Sequence, residues 1–153
     1  MNLARSGTNI GHHIKLSDDT WWRTLLERGE ICARFDNQPG DRGEKIFKSY
    51  VAGDRVIAYA SSHGAIGWGI IEQPASYRLL AEGDPADIFP DHFQRHRLNI
   101  AWKAAVATVK DGVPPSEIMK RFKIHHPIST CVRVADRKAD ELILLLSETF
   151  AQV

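Results

Sequence analysis

The sequence predicts a mixed α+β fold: a small, strongly bent β-sheet or barrel of about five or six strands, flanked by helices. Three observations predict it. Two β-rich runs, RVIAYA at 55–60 and AIGWGIIE at 65–72, are joined by Ser61, Ser62, His63 and Gly64 and read as a hairpin. Within the second run, Gly67 and Gly69 leave one strand face almost bare, which marks tight bending or the close approach of another backbone or a ligand. Segments with helical periodicity alternate with the strands along the chain.

Residues 1–16 are polar and Gly-containing. A helix is predicted over 18–28, where Ser17, Asp18 and Asp19 supply cap oxygens, Trp22, Leu25 and Leu26 form one stripe, and Gly29 ends it. A short strand at 31–35 runs into the turn-rich loop Asp36, Asn37, Gln38, Pro39, Gly40. From 41 to 52, Ile46, Phe47, Tyr50 and Val51 share a helical face, with Gly53 placed as the left-handed stop. After the hairpin, 73–95 hold three prolines, 84–95 read as a long surface loop, and 96–106 resume as a strand. Pro114 and Pro115 open a short helix to Phe122, a strand follows at 128–134, and a closing amphipathic helix at 136–150 places Ala139, Leu142, Ile143, Leu146 and Phe150 on one stripe.

The bulk numbers point to one domain over 1–153: 43% hydrophobic and 25% charged residues are those of an ordinary globular protein. No apolar run approaches the roughly 18 residues needed to span a bilayer, and the N-terminus lacks the apolar core of a secretory signal, so a cytoplasmic protein is expected. Net charge is +1, so any nucleic-acid site must be a local patch. Cys32 and Cys131, far apart and each in an apolar setting, read as buried reduced thiols. His12–His13 and His125–His126 are adjacent pairs without the i, i+4 geometry of a helical zinc site, so neither a metal nor another cofactor is expected. No nucleophile elbow or cysteine-protease context surrounds a nucleophile.

Three segments carry a family likeness. Gly53-Asp54-Arg55-Val56-Ile57-Ala58-Tyr59, then Ile66-Gly67-Trp68-Gly69-Ile70, then His96-Arg97-Leu98-Asn99-Ile100-Ala101-Trp102 follow each other in order and spacing. Over roughly residues 31–134 the chain thereby resembles the EVE branch of the PUA-like superfamily. Its relatives are YTH domains and the modified-DNA sensors of McrB-type and HNH-type restriction enzymes. The resemblance implies a compact β-barrel with an aromatic-lined pocket for an extruded modified base, in a module that binds without catalysing.

By the same resemblance, the pocket lies between the loop after the strand at 31–35, the hairpin turn and the long loop before the "HR" strand. Here these carry Phe35, Asp36 and Asn37; Ser61, Ser62 and His63; and Phe89 and Phe93. A flipped base needs a ring to stack on and an amide or hydroxyl to read its edge, which makes Phe35 and Asn37 the first candidates; a core Phe and a turn Asn are the competing readings. Trp68 is a candidate cage residue, although its alternation with Ile66 and Ile70 equally reads as core, and Trp21 either stacks on the base or covers a neighbouring loop. Relatives often carry a tryptophan in these loops; this chain has none between Arg23 and Trp68 or between Trp68 and Trp102.

Phosphate contacts are expected from Arg42, His92, Arg95, His96 and Arg97 beside the pocket. A second cluster, Lys120, Arg121, Lys123, His125 and His126, reads either as a further contact or as a solvated face. The function expected is recognition of a methylated or hydroxymethylated base, in DNA beside a partner nuclease or in RNA. An enzyme acting on a nucleotide-like small molecule in the same pocket, and an interaction unit with a vestigial pocket, are the alternatives.

Overall fold

The computed structural model describes residues 8–16, 19–35, 38–87 and 94–153. In chain order the elements are β1 (Asn9–Ile14), α1 (Asp19–Arg28), β2 (Glu30–Ala33), α2 (Arg42–Ser49), β3 (Arg55–Ala60), β4 (Gly64–Ile71), β5 (Tyr77–Leu79), β6 (His96–Ala105), a 3₁₀ turn (Val109–Asp111), α3 (Pro115–Phe122), β7 (Cys131–Val134), α4 (Asp136–Thr149) and β8 (Ala151–Gln152). The strands form one sheet in the order β2-β6-β4-β3-β1-β7, with β5 and β8 each pairing with β6. This is the α+β architecture expected, with a six-strand main path and two short additions.

The hairpin forms as predicted, β3 antiparallel to β4, with a bulge between Ala58 and Tyr59. The glycines of β4 answer to backbone: a Cβ at Gly69 would lie 2.7 Å from the Ala101 carbonyl, and one at Gly67 would lie 2.9 Å from that of Ala104. They admit the neighbouring strand β6 where it bulges between Trp68 and Gly69.

The strand β1 is the main addition to the predicted element order. It pairs parallel with β3 and antiparallel with β7, and the α1–β2–α2 segment supplies the crossover that a parallel pair demands. Its sequence gives no hydrophobic alternation because two buried side chains are polar, and both are satisfied. Asn9 donates to Asp136 Oδ1 (2.6 Å) and accepts from Arg55 Nε (2.7 Å), and His12 pairs with the Cys32 carbonyl and the Tyr50 hydroxyl. Asp54, fully buried, accepts from Thr8 N (2.8 Å) and Val51 N (2.9 Å), so the "GD" turn pins the start of β1 to the entry of β3. The helix of α2 stops at Ser49, and Gly53 (φ +91°) serves the turn into β3 rather than the helix end.

The core runs along the sheet. Trp22 is fully buried, its ring T-shaped to Trp102 at 5.0 Å and its indole N–H bonded to the Val106 carbonyl (2.8 Å); Trp21 is half-buried at its margin. Along a strand successive side chains alternate between faces. His12, paired with Ala58 and Cys131, takes the face covered by α1 and α2; Gly11, paired with Ile57 and Val132, takes the face covered by α4.

Candidate functional site

The best-organised polar cluster is built round the first turn of α2. Asp41 caps that helix, accepting from Glu44 N (3.1 Å) and from Gln38 N (3.2 Å). Its carboxylate also receives the Nε2–H of His96 at 3.0 Å, and His96 Nδ1 pairs with the Tyr77 hydroxyl at 2.7 Å. Burial pushes Asp41 upward, but the Glu44 N–H, the His96 ring and the Gln38 N–H outweigh it and hold the carboxyl below its ordinary range. Burial, with Glu44 and Asp41 nearby, raises Tyr77 to about 12, which keeps the phenol a donor.

Phe35 sits against this cluster, edge-on to the His96 ring at 6.4 Å. Only glycine fits beside them: a Cβ at Gly43 would lie 2.5 Å from His96 Cδ2 and 2.8 Å from Phe35 Cδ2. One turn below, His12 stacks on Phe47 at 5.5 Å, donates Nε2–H to the Cys32 carbonyl (2.7 Å) and accepts at Nδ1 from the Tyr50 hydroxyl (2.7 Å). A carbonyl cannot donate, so the tautomer is fixed. Burial lowers His12 to about 4, so the ring is neutral at pH 7.

On Phe35 opens a hollow of about 410 Å³, walled by Phe35, Arg42, Ile46, Ser129, Thr130 and Cys131. It therefore brings together an aromatic ring, an exposed guanidinium, two hydroxyls and a thiol. Phe35 and Arg42, expected to stack on a base and to meet a phosphate, share it. Asp36, Asn37, Phe89, His92 and Phe93 lie outside the described residues.

The other candidates are placed elsewhere. The Ser61 hydroxyl pairs with His13 Nε2 (3.0 Å), on the face opposite Phe35, Ser62 is exposed, and the hairpin tip with His63 is engaged by the 112–113 segment, where Val113 bridges to Ala65. Trp68 pairs across from Ile57 and donates to Ser147 Oγ (2.9 Å), so it packs towards α4 and takes no part in the Phe35 hollow. Trp21 rests on the core margin. The hairpin turn does not converge with Phe35: Ser61 is held at His13, whereas Phe35 lies by His96 and Arg42.

Two phosphate candidates are also corrected. His96 and Arg97 are fully buried. Arg97 is occupied by Glu30 (3.4 Å) and by the carbonyls of Gln94 (3.1 Å) and Ala86 (2.9 Å), and Glu30 is shared with Arg78 and Arg28. Arg95 lines a separate hollow with Glu82, Gly83 and Asp87. Lys120, Arg121 and Lys123 are exposed at the end of α3, where Arg121 reaches Glu117 (3.4 Å); His125 is exposed and His126 half-buried. Cys32 is buried and Cys131 half-buried, both as free thiols. Among the described residues no cluster of His, Cys, Asp and Glu could hold a metal ion, and no helix is long and apolar enough to cross a membrane.

Sequence reasoning passed over His12, Asp41, Tyr50 and Tyr77. The adjacent His12–His13 pair is a signal for His12, whereas Tyr77 falls in the proline-containing stretch after the hairpin, where no element is predicted.

The architecture can be compared with known structures. The chain superposes on the Toxoplasma CPSF4 YTH domain with TM-score 0.59 at 14% identity, covering 98% of this chain and 92% of that one. The fold is YTH-like. The same Toxoplasma domain in complex with a 7-mer m6A-modified RNA gives TM-score 0.59 at 15% identity over 94% of each chain. The Mmi1 YTH domain in complex with RNA gives 0.56 at 11%, covering 92% of this chain and 79% of that one. No family model and no curated protein matches the sequence.

Proposed function

We propose that this YTH-like chain is a nucleic-acid-binding module that takes an extruded, modified base against Phe35, with a flanking phosphate at Arg42. The observation that carries the reading is the meeting of that ring and that guanidinium in one hollow, beside the hydroxyls of Ser129 and Thr130. A base stacked on a ring contributes about 1–3 kcal/mol, and hydroxyls both donate and accept at a base edge. The YTH-like fold supports it, since similar domains are seen with RNA and with m6A-modified RNA. RNA is therefore the first substrate to try. The order of the "GD", "GWG" and "HR…W" segments supports membership of the EVE branch, in which case modified DNA and a partner nuclease are the second setting.

Fluorescence titration with matched short oligonucleotides tests the reading: N6-methyladenine, 5-methylcytosine and 5-hydroxymethylcytosine against the plain bases, in RNA and in DNA. One modified strand is expected to bind about tenfold more tightly than its plain counterpart, a difference of about 1.4 kcal/mol, and Phe35→Ala to remove that preference. Equal affinities across every pair reject it.

A further inference from the structure

A second hollow opens on the opposite face of the sheet, at the β1–β7 edge, with a volume of about 190 Å³. Its walls are apolar, from Ile124, Pro127, Val132 and Val134, and Gly11 lets Pro127 Cγ and Tyr59 Cε2 close over β1 (3.4 and 3.3 Å from a Cβ placed there). An apolar cavity of about 150 Å³ suffices to hold a benzene ring, so there is room here for one ring and a substituent.

Two further features mark it as a site rather than a packing gap. Tyr59 lines the hollow, is 1% exposed, and its hydroxyl has no hydrogen-bond partner among the described residues. A buried hydroxyl left unpaired costs about 1–3 kcal/mol, and a ligand that pairs it recovers that cost. Burial raises the phenol, so it stays neutral and can donate or accept.

The second feature is charge. Lys123, Arg133 and Lys138 line the hollow and are exposed, while no acidic residue lines it. The nearby acids of α4 are engaged elsewhere, Asp136 by Asn9 and Asp140 by Arg55. Lys138 Nζ donates to the Lys123 carbonyl (3.1 Å) and Arg133 to the Thr8 hydroxyl, whereas the Lys123 ammonium forms no ion pair among the described residues.

We infer that this hollow binds a small ring-bearing anion: the ring between Pro127 and Val132, a polar ring substituent on the Tyr59 hydroxyl, and the carboxylate or phosphate at Lys123 and Arg133. The site is independent of the Phe35 hollow. Both a free aromatic acid and an aromatic phosphate ester carry this chemistry, so the probes are 4-hydroxybenzoate and 4-nitrophenyl phosphate, with benzoate and inorganic phosphate as controls.

Calorimetric titration of the full chain is expected to show saturable binding of one probe, with its control at least tenfold weaker. Tyr59→Phe should weaken the probe at least tenfold without unfolding the protein, since it removes an unpaired group. Lys123→Ala, an exposed change, should weaken it several-fold, and Phe35→Ala should leave it unchanged. Failure of both probes to saturate at millimolar concentration overturns the inference, as does full-strength binding by both Tyr59→Phe and Lys123→Ala. Because Phe35→Ala is read separately with oligonucleotides, either site can fail without the other.

Discussion

His96 Nε2 lies 3.0 Å from the Asp41 carboxylate, a contact that ties the cap of α2 to the first residue of β6. Each partner is also held from its other side, Asp41 by two backbone N–H groups and His96 by Tyr77. The wall behind Phe35 and Arg42 is set by this contact.

Removing the carboxylate should loosen both elements. Asp41→Ala loses a helix cap, worth about 1 kcal/mol, and leaves a buried imidazole N–H unpaired at about 1–3 kcal/mol. Urea denaturation should show a loss of about 2–4 kcal/mol, while Asp41→Asn, which keeps an acceptor, should lose less than half of that.

Stability should fall on mild acidification. The folded chain keeps His12 neutral down to about 4, against 6.5 for an ordinary imidazole, because burial disfavours its charge. Between those values the unfolded chain binds a proton that the folded chain refuses. Stability is thus complete above about pH 6.5 and declines as pH drops towards 4, by about 3 kcal/mol from this ring. His13 and His126, also lowered by burial, add the same sign. His12→Gln should be less stable at pH 8 yet show a shallower melting-temperature slope from pH 7 to 4.5; an unchanged slope would show that His12 does not carry the effect.

Arg97 and Arg42 should separate structure from binding. Arg97→Met strips the donor from the carbonyls of Ala86 and Gln94 and one cation from Glu30, and should cost about 3 kcal/mol of stability. Its salt dependence of oligonucleotide binding should match the parent. Arg42→Ala should do the reverse, with stability within about 0.5 kcal/mol and a log–log salt slope shallower by about 0.7 on a single strand.

Gly43→Ala should disturb the Phe35 wall from behind. The new methyl would have to displace the His96 ring or Phe35, at about 1–3 kcal/mol. Phe35 should move with it, so oligonucleotide affinity should drop although position 43 itself is buried; unchanged stability and affinity would show that the wall yields freely.

Elements with a clean period were readable from residues. The α4 stripe of Ala139, Leu142, Ile143 and Leu146 and the β3–β4 hairpin formed where the pattern put them, and Trp22 turned inward while Trp21 did not. β1 was not readable, since Asn9 and His12 are buried polar groups whose partners, Asp136, Arg55, Cys32 and Tyr50, are distant in the chain. Of the candidate site, Phe35 and Arg42, named through the family resemblance and their chemistry, line one hollow together. The burial of His96 and Arg97 was not readable, because a cation in a strand looks the same in sequence whether it meets solvent or Glu30.

The sequence by itself determined the helices, the hairpin and the α+β class, because apolar periodicity and turn residues act over a few neighbours. Only the tertiary structure decided which side chains share a face. A strand reverses the direction of its side chains at every residue, so the pairing of β1 with β3 and β7 placed His12 and Cys131 on the side of Phe35, and Tyr59 with Val132 on the other.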